Sequence, residues 1–350
     1  MIDWISFDIC CKHDTPIVGG HFMKVEQDGS VESCWSRKRR VRGSHESSIE
    51  VKTSCFDDID GATRLRVDGN PLKWLQGHNV YGTDDLHGLV VNCMQLLCDM
   101  LDLSPTDDDY RSWLSGDYEI KRVDINYSFE LANRNQVMTW LSITEKNATT
   151  RHGRCKVKGG TNYWGKNSRR WSLKAYSKAL EIEQKKNLPE VFMKGELPNW
   201  MQNKLRIELT LRVMELNKLK LSRGSDWNDE TVNRVYNQYL SRIQISENMK
   251  MTQGEIDQLP KRLQVAFLLW DEGHDLRKHY PKRTFYRHRR ELLKFGIDIS
   301  IVQESNRPDT TNVVPLVQVL KAKPAMIPDW AYTDGSYYQP RKKTLLDLLA

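Results

Sequence analysis

The sequence predicts an α+β protein. The larger N-terminal part carries a central, mainly antiparallel sheet with flanking helices, and the smaller C-terminal part is mostly helical and helix-turn-helix-like. Three observations predict this. The runs 118–131, 171–178 and 204–213 alternate apolar and polar residues, as half-buried strands do. The run 84–103 instead repeats its apolar residues at helical spacing. Beyond residue 260, two helical stretches flank a turn containing Gly273, His274 and Pro281. A chain of 350 residues holds two units of ordinary size, placed here at 1–246 and 247–350.

Composition narrows the function. The charged fraction is 28% and the net charge +7, with a pI near 8.9, which suits a polyanionic partner without requiring one. The N-terminus, MIDWISFDIC, has an acid at position 3 and no basic stretch before an apolar one, so it reads as a first strand and not as a secretory signal. The most apolar segment, Leu89 to Leu103, is broken by Asn92, Gln95 and Asp99, which argues for a soluble chain with no membrane span. Seven scattered cysteines without a CxxC pair point to a reducing cytoplasm, with neither a disulfide framework nor a zinc knuckle.

In order along the chain, Trp4–Cys11, Ile49–Ser54 and Thr63–Val67 are short strands bounded by Gly, Asp or Asn. Between the first two lies the basic cluster Arg37–Arg42, which fits either a phosphate contact or a hairpin tip. Residues 70–82 hold Pro71 and several Gly and Asn stops, hence a tight, specific turn, and His78 within it is a candidate metal or phosphate contact. Asp84–Leu103 is a core-facing helix with acids at its positive end. A strand over 118–131, a helix over 135–144, the strand 171–178, a polar helix from Lys178 and the strand 204–213 follow. Residues 224–254 read as polar and helical, with the link between units at 247–259.

The chemistry concentrates on the alternating strands. In the run Trp171–Lys178, Lys174, Tyr176 and Lys178 share one face, where two ammonium groups beside a metal-bound phosphate would favour the phenolate and a nucleophilic role. A solvated surface strand fits the same pattern. If the three strands are neighbours, Asp124 and Glu208 lie on the face of Tyr176 and could hold Mg²⁺ or Mn²⁺, which take carboxylate oxygens. In the helix from Lys282, Arg283, Arg287, Arg290 and Lys294 form a basic stripe nearly opposite Phe285 and Leu292. That stripe suits DNA, and it equally suits a solvated cationic surface.

Several blocks then carry a resemblance: Leu75–Thr83 (LQGHNVYGT), Arg122-Val-Asp-Ile-Asn126, Lys174-Ala-Tyr-Ser-Lys178 with Glu181, Leu205-Arg-Ile-Glu-Leu209, Asn312–Val317 and Pro328-Asp-Trp330. In this order they resemble the gene II/X-type replication initiators of filamentous phages. The chain is also similar to Rep_trans-type plasmid rolling-circle initiators, in the Asn70–Lys73 turn, the Arg-x-Asp and Arg-x-Glu strands and the Tyr163–Gly165 block.

The resemblance implies a metal-dependent nicking and closing enzyme with Tyr176 as nucleophile and Lys174 and Lys178 beside it. It implies Asp124 and Glu208 as metal acids, with His78 as a further candidate ligand, since no His-hydrophobic-His pair is present. Arg122 and Arg206, which open the two strand motifs, join the basic helix as expected DNA contacts. The implied partners are phage origin DNA, supercoiled duplex and single-stranded, a host helicase and DNA polymerase, and other copies of the chain on DNA, all in the host bacterial cytoplasm. The alternative is a non-catalytic helix-turn-helix regulator of phage or plasmid replication.

Overall fold

The computed structural model describes residues 1–43, 45, 47–57, 61–150, 153–186, 188–245, 259–292, 299–300 and 324–349. Among these residues the strands in chain order are β1 (Ile2–His13), β2 (His21–Val25), β3 (Val31–Ser36), β4 (Arg39–Arg42), β5 (Ser48–Asp57), β6 (Gly61–Gly69), β7 (Glu119–Glu130), β8 (Ala148–Thr150), β9 (Gly153–Arg154), β10 (Lys156–Lys158), β11 (Thr161–Trp164), β12 (Trp171–Ser177), β13 (Lys204–Arg212) and β14 (Gln244–Ile245). Nine of them form one sheet in the order β10-β11-β12-β13-β7-β1-β6-β5-β4, every pairing antiparallel. The three alternating runs of the sequence are β7, β12 and β13, and they are adjacent.

Alternation assigns the two faces. Ile5, Phe7, Val123, Ile125, Leu173, Leu209 and Leu211 point one way and join a single core with the helices Leu86–Leu101, Arg134–Asn147, Val213–Leu219 and Asp229–Leu240. Fully burying a side chain of this size contributes roughly 1.5–3 kcal/mol, so this face fixes strand register. The helix Leu86–Leu101 is capped by Asp85, whose side chain accepts from the Gly88 amide, and its buried Leu86, Leu89, Val90, Cys93 and Leu97 follow the spacing read from the sequence.

The opposite face is polar, and a short element folds over part of it. Asn70 caps the helix Pro71–Gln76 by accepting from the Lys73 amide, and Pro71 occupies its first turn, where a missing N–H costs nothing. Gly77 ends it at φ 89°, a conformation that favours glycine, and an added Cβ would also meet the rings of His45 and Phe192 at 2.8–2.9 Å. The chain is thereby turned into residues 78–82, which lie against Arg206 and Lys178.

The C-terminal region is smaller and helical. Leu263, Phe267, Trp270, Leu276, Phe285 and Leu292 form a core of their own around the helices Lys261–Asp271 and Lys282–Leu292. The connection, 272–281, is ten residues long, against the three or four of a tight helix-turn-helix. Residues 324–349 pack against the N-terminal part: the Ala325 amide donates to the Ser128 carbonyl at 2.7 Å, and Tyr338 Oη donates to Asn92 at 3.0 Å. Among the described residues, no helix is long and apolar enough to cross a membrane.

Candidate active site

The site is built across β12, β13 and β7 by register. Lys174 faces Glu208, Tyr176 faces Arg206, Glu208 faces Asn126, and Thr210 faces Asp124. Directly paired residues in an antiparallel ladder share a face, so the polar positions of all three strands converge. Tyr176 Oη donates to Glu208 Oε2 at 3.3 Å, and Lys174 Nζ lies 2.6 Å from Glu208 Oε1. The same ammonium sits 5.5 Å from the centre of the Tyr176 ring. Tyr176 is only 6% exposed and Glu208 2%.

Burial sets the ionisation of the group. It pushes the Glu208 carboxyl up to about 7, with Lys174 pulling down and Asp3 and Asp124 pushing up. Burial also opposes the charge on Lys174, but Glu208 more than offsets it and holds the ammonium above its ordinary value. The Tyr176 phenol is held well above 10, first by burial and then by the Glu208 charge, while Arg206 pulls the other way. The expectation that two lysines favour the phenolate therefore does not hold in this state, because the hydroxyl is buried and its hydrogen-bond partner is an acid.

Lys178 plays a different part from the one its spacing implied. β12 ends at Ser177, which caps the helix Lys178–Lys185, so Lys178 is a helix residue and fully buried. Its Nζ reaches Asn79 Oδ1 at 2.8 Å and Glu181 Oε2 at 2.7 Å. Burial and the nearby Arg206 charge bring it down to about 8, against the pull of Glu181.

Asp124 is 2% exposed and gripped by Arg122, whose Nε and Nη2 donate to its two oxygens at 2.8 and 2.7 Å. Arg122 itself lies over the Trp4 ring and is 40% exposed at the rim. Arg206, expected as a DNA contact, is 1% exposed and is corrected here to an internal clamp. Its guanidinium donates to the carbonyls of Asn79 and Val80 and to Ser128 Oγ, fixing the turn 78–82 on the sheet.

His78 stands apart from the carboxylates, and its placement corrects the expectation of a ligand. Its Nε2 donates to the Ser336 carbonyl at 2.8 Å, and its Nδ1 accepts from the Val80 amide. Burial drives its pKa down to about 3, with Lys178 and Arg206 adding to the effect. Among the described residues, no three His, Cys, Asp or Glu side chains gather into a group that could hold a metal ion.

Arg283, Arg287 and Arg290 are exposed along the helix Lys282–Leu292, whose Phe285, His288 and Leu292 are buried. Lys294 lies outside the described residues.

Two residues of the site were not singled out from the sequence. Asp3 accepts from Asn70 and Asn79 at 2.6 and 2.8 Å, and its charge acts on Lys174, Tyr176, Lys178 and Glu208. It is the extra residue of a bulge, since Ile2 faces Ile125 and Trp4 faces Asp124, and a period of two cannot foretell a bulge. Asn126 lies across from Glu208, fully buried, with both amide atoms unpartnered. Its signal was present: it continues the polar face of Arg122 and Asp124.

Residues 1–230 match the family that describes the N-terminal part of the gene II replication-associated protein, and residues 251–337 match the family that describes its C-terminal part. The replication-associated protein of this type from Enterobacteria phage I2-2 is 44% identical over 331 residues, spanning 94% of this chain and 95% of that protein. The corresponding protein of Enterobacteria phage M13 is 24% identical over 331 residues, with 76% of each chain covered, and that of Salmonella phage IKe is 23% identical over 333. The class these matches define is the phage replication protein. The chain belongs to the family of gene II-type replication-associated proteins, the replication initiators of filamentous phages.

Proposed function

We propose that this chain starts rolling-circle replication by cutting one strand of phage origin DNA through Tyr176. The observation that carries the reading is the Tyr176 hydroxyl hydrogen-bonded to Glu208 beside Lys174, in a chain of the gene II family. In the proposed step Tyr176 Oη attacks a phosphodiester phosphorus, the bond from phosphorus to the 3′ oxygen breaks, and a bond from phosphorus to Oη forms. The phenolic proton passes to Glu208 in its carboxylate form, and the departing 3′ oxygen takes up a proton from solvent. The 5′ phosphate stays on tyrosine and the free 3′-OH serves a polymerase. One ester replaces another, so rejoining needs no nucleotide.

Lys174 neutralises charge developing on phosphorus, and Arg122 at the rim meets the incoming backbone. The buried Asn126 amide, unpartnered at both atoms and paired in register with Glu208, leaves a polar gap beside Glu208 that suits an ion held in part by substrate oxygens. Mg²⁺ or Mn²⁺ commonly uses one or two carboxylates plus substrate oxygens, so Asp124 and Glu208 would be the residues to hold it, once Arg122 and Lys174 turn from them to the substrate phosphates. Such an ion would supply polarisation of the phosphoryl oxygens. The exposed arginines of the C-terminal helix are proposed to hold the duplex.

The test is a covalent trace. Incubating the protein with an origin oligonucleotide and Mg²⁺ should give an adduct that survives denaturing gels and maps to the peptide holding Tyr176. Tyr176→Phe should give none, while Tyr163→Phe should match wild type. An adduct on another tyrosine removes the assignment. Mobility shift without nicking of supercoiled origin plasmid would favour the regulator instead.

A further inference from the structure

Among the described residues, the hairpin β2–β3 pairs with no strand of the main sheet. It is a two-stranded unit joined to the body at its foot, where the Gly19 amide donates to the Arg37 carbonyl and the Arg37 amide to the Gly20 carbonyl. Phe22, Met23, Val25, Val31 and Trp35 are each about half exposed or more. By alternation Phe22 and Trp35 lie on one face of the ribbon and Met23 and Val25 on the other, so the hairpin shows apolar side chains to water on both faces although an isolated hairpin is marginal in water.

Its foot has an arrangement suited to bases and phosphates. Phe22 and Trp35 are register partners with ring centroids 5.8 Å apart, and the Arg37 guanidinium lies 5.0 Å over the Phe22 ring. Lys24 pairs with Glu26 and Glu32 nearer the tip, and the chain leaving the foot runs into Arg39, Arg40 and Arg42 of β4. Arg40 lies 3.8 Å from Glu50 and is still 73% exposed, so a phosphate could compete for it.

Register ties this corner to the site. Arg40 faces Glu50, Glu50 faces Asp68, Asp68 faces Ser6, Ser6 faces Arg122, and Arg122 faces Arg212. That row shares the face of Lys174, Tyr176 and Glu208. Six strand spacings separate β12 from β4, about 30 Å at ~4.8 Å each.

We propose that the arm and β4 form a second DNA contact, taking a single-stranded segment whose bases stack on Phe22 and Trp35 while Arg37 and Arg40 hold its phosphates. The charge decides the class of partner: exposed aromatic rings beside arginines match unpaired bases on a phosphate backbone. The contact rests on the reading that the substrate is DNA, and it adds a grip roughly nine stacked nucleotides from the cut, at ~3.4 Å each.

The test uses the full chain, a short origin oligonucleotide ending near the cut, and the same strand extended past the arm. The variant Phe22→Ala/Trp35→Ala should bind the extended strand about tenfold or more weakly, and Trp35→Phe should restore most of that loss by keeping a ring. Arg37→Ala/Arg40→Ala should lower the salt slope by about 0.7 per contact. Adduct formation with the short oligonucleotide should be unchanged in every variant. Wild-type affinity for the extended strand, a loss confined to duplex, or loss of the short-oligonucleotide adduct would each overturn the proposal. If wild type forms no adduct at all yet the arm variant still loses strand binding, the nicking reading fails and the arm contact stands.

Discussion

Tyr176 donates to Glu208 at 3.3 Å although the two are not opposite each other in the ladder: Tyr176 faces Arg206, and Glu208 faces Lys174. The contact is diagonal, within reach of long side chains on one face. It leaves one carboxylate between a phenol and an ammonium. As the acceptor of the tyrosine proton Glu208 must be ionised, and burial holds its carboxyl near 7. Single-turnover nicking should therefore rise about tenfold per pH unit below 7 and level off above it. A flat profile from pH 5.5 to 7.5 would remove Glu208 from that role.

Asp124→Asn and Glu208→Gln keep the shape of their side chains and drop the charge. Both should bind origin DNA close to wild type and lose most Mg²⁺-dependent nicking, because amides are weaker ligands for hard cations. Titrating Mg²⁺ in a plasmid-nicking assay checks this, and a wild-type metal requirement in either variant would exclude that residue as a ligand.

The buried and the exposed arginines should separate cleanly. Arg206→Met removes a clamp on Asn79, Val80 and Ser128 and should cost about 3 kcal/mol or more of stability in urea unfolding. Replacing Arg283, Arg287 and Arg290 with Ala should leave stability within about 0.5 kcal/mol. It should flatten the salt dependence of duplex binding by about 0.9 per lost phosphate contact. An unchanged slope would return that helix to solvent.

His78 should make stability depend on pH. Its pKa is about 3 in the folded chain and about 6.5 unfolded, so the unfolded chain binds the extra proton. The stabilisation is complete above 6.5 and is lost as pH falls, by up to about 1.4 kcal/mol per unit. The groups acting on it are Lys178, Arg206 and Asp334. His78→Gln should show a shallower decline than wild type between pH 6.5 and 5 in chemical denaturation. Equal declines would mean that His78 titrates normally.

Period-two patterning made the three central strands legible, together with the face each residue takes, because one face had to be buried in a common core. Tyr176, Lys174, Asp124 and Glu208 were visible for that reason. The pattern misled at Lys178, where the alternation ran on one residue past the strand into a helix, and at Arg206, where a polar position faces an internal loop and not solvent. Asp3 was invisible because its bulge breaks the period. The arm itself was not legible, since its apolar residues face water and have no core to enforce a pattern; only the basic cluster Arg37–Arg42 that follows it stood out.

By itself, the sequence determined which residues could form strands and helices and which polar groups would share a face, since local sterics and the burial of apolar side chains follow from residue order. The tertiary structure alone decided that β12, β13 and β7 are neighbours. It also placed the turn 78–82 over their polar face and turned residues 324–349 back onto that turn. Those choices depend on contacts between residues far apart in the chain, and they decide which charge stands next to Tyr176.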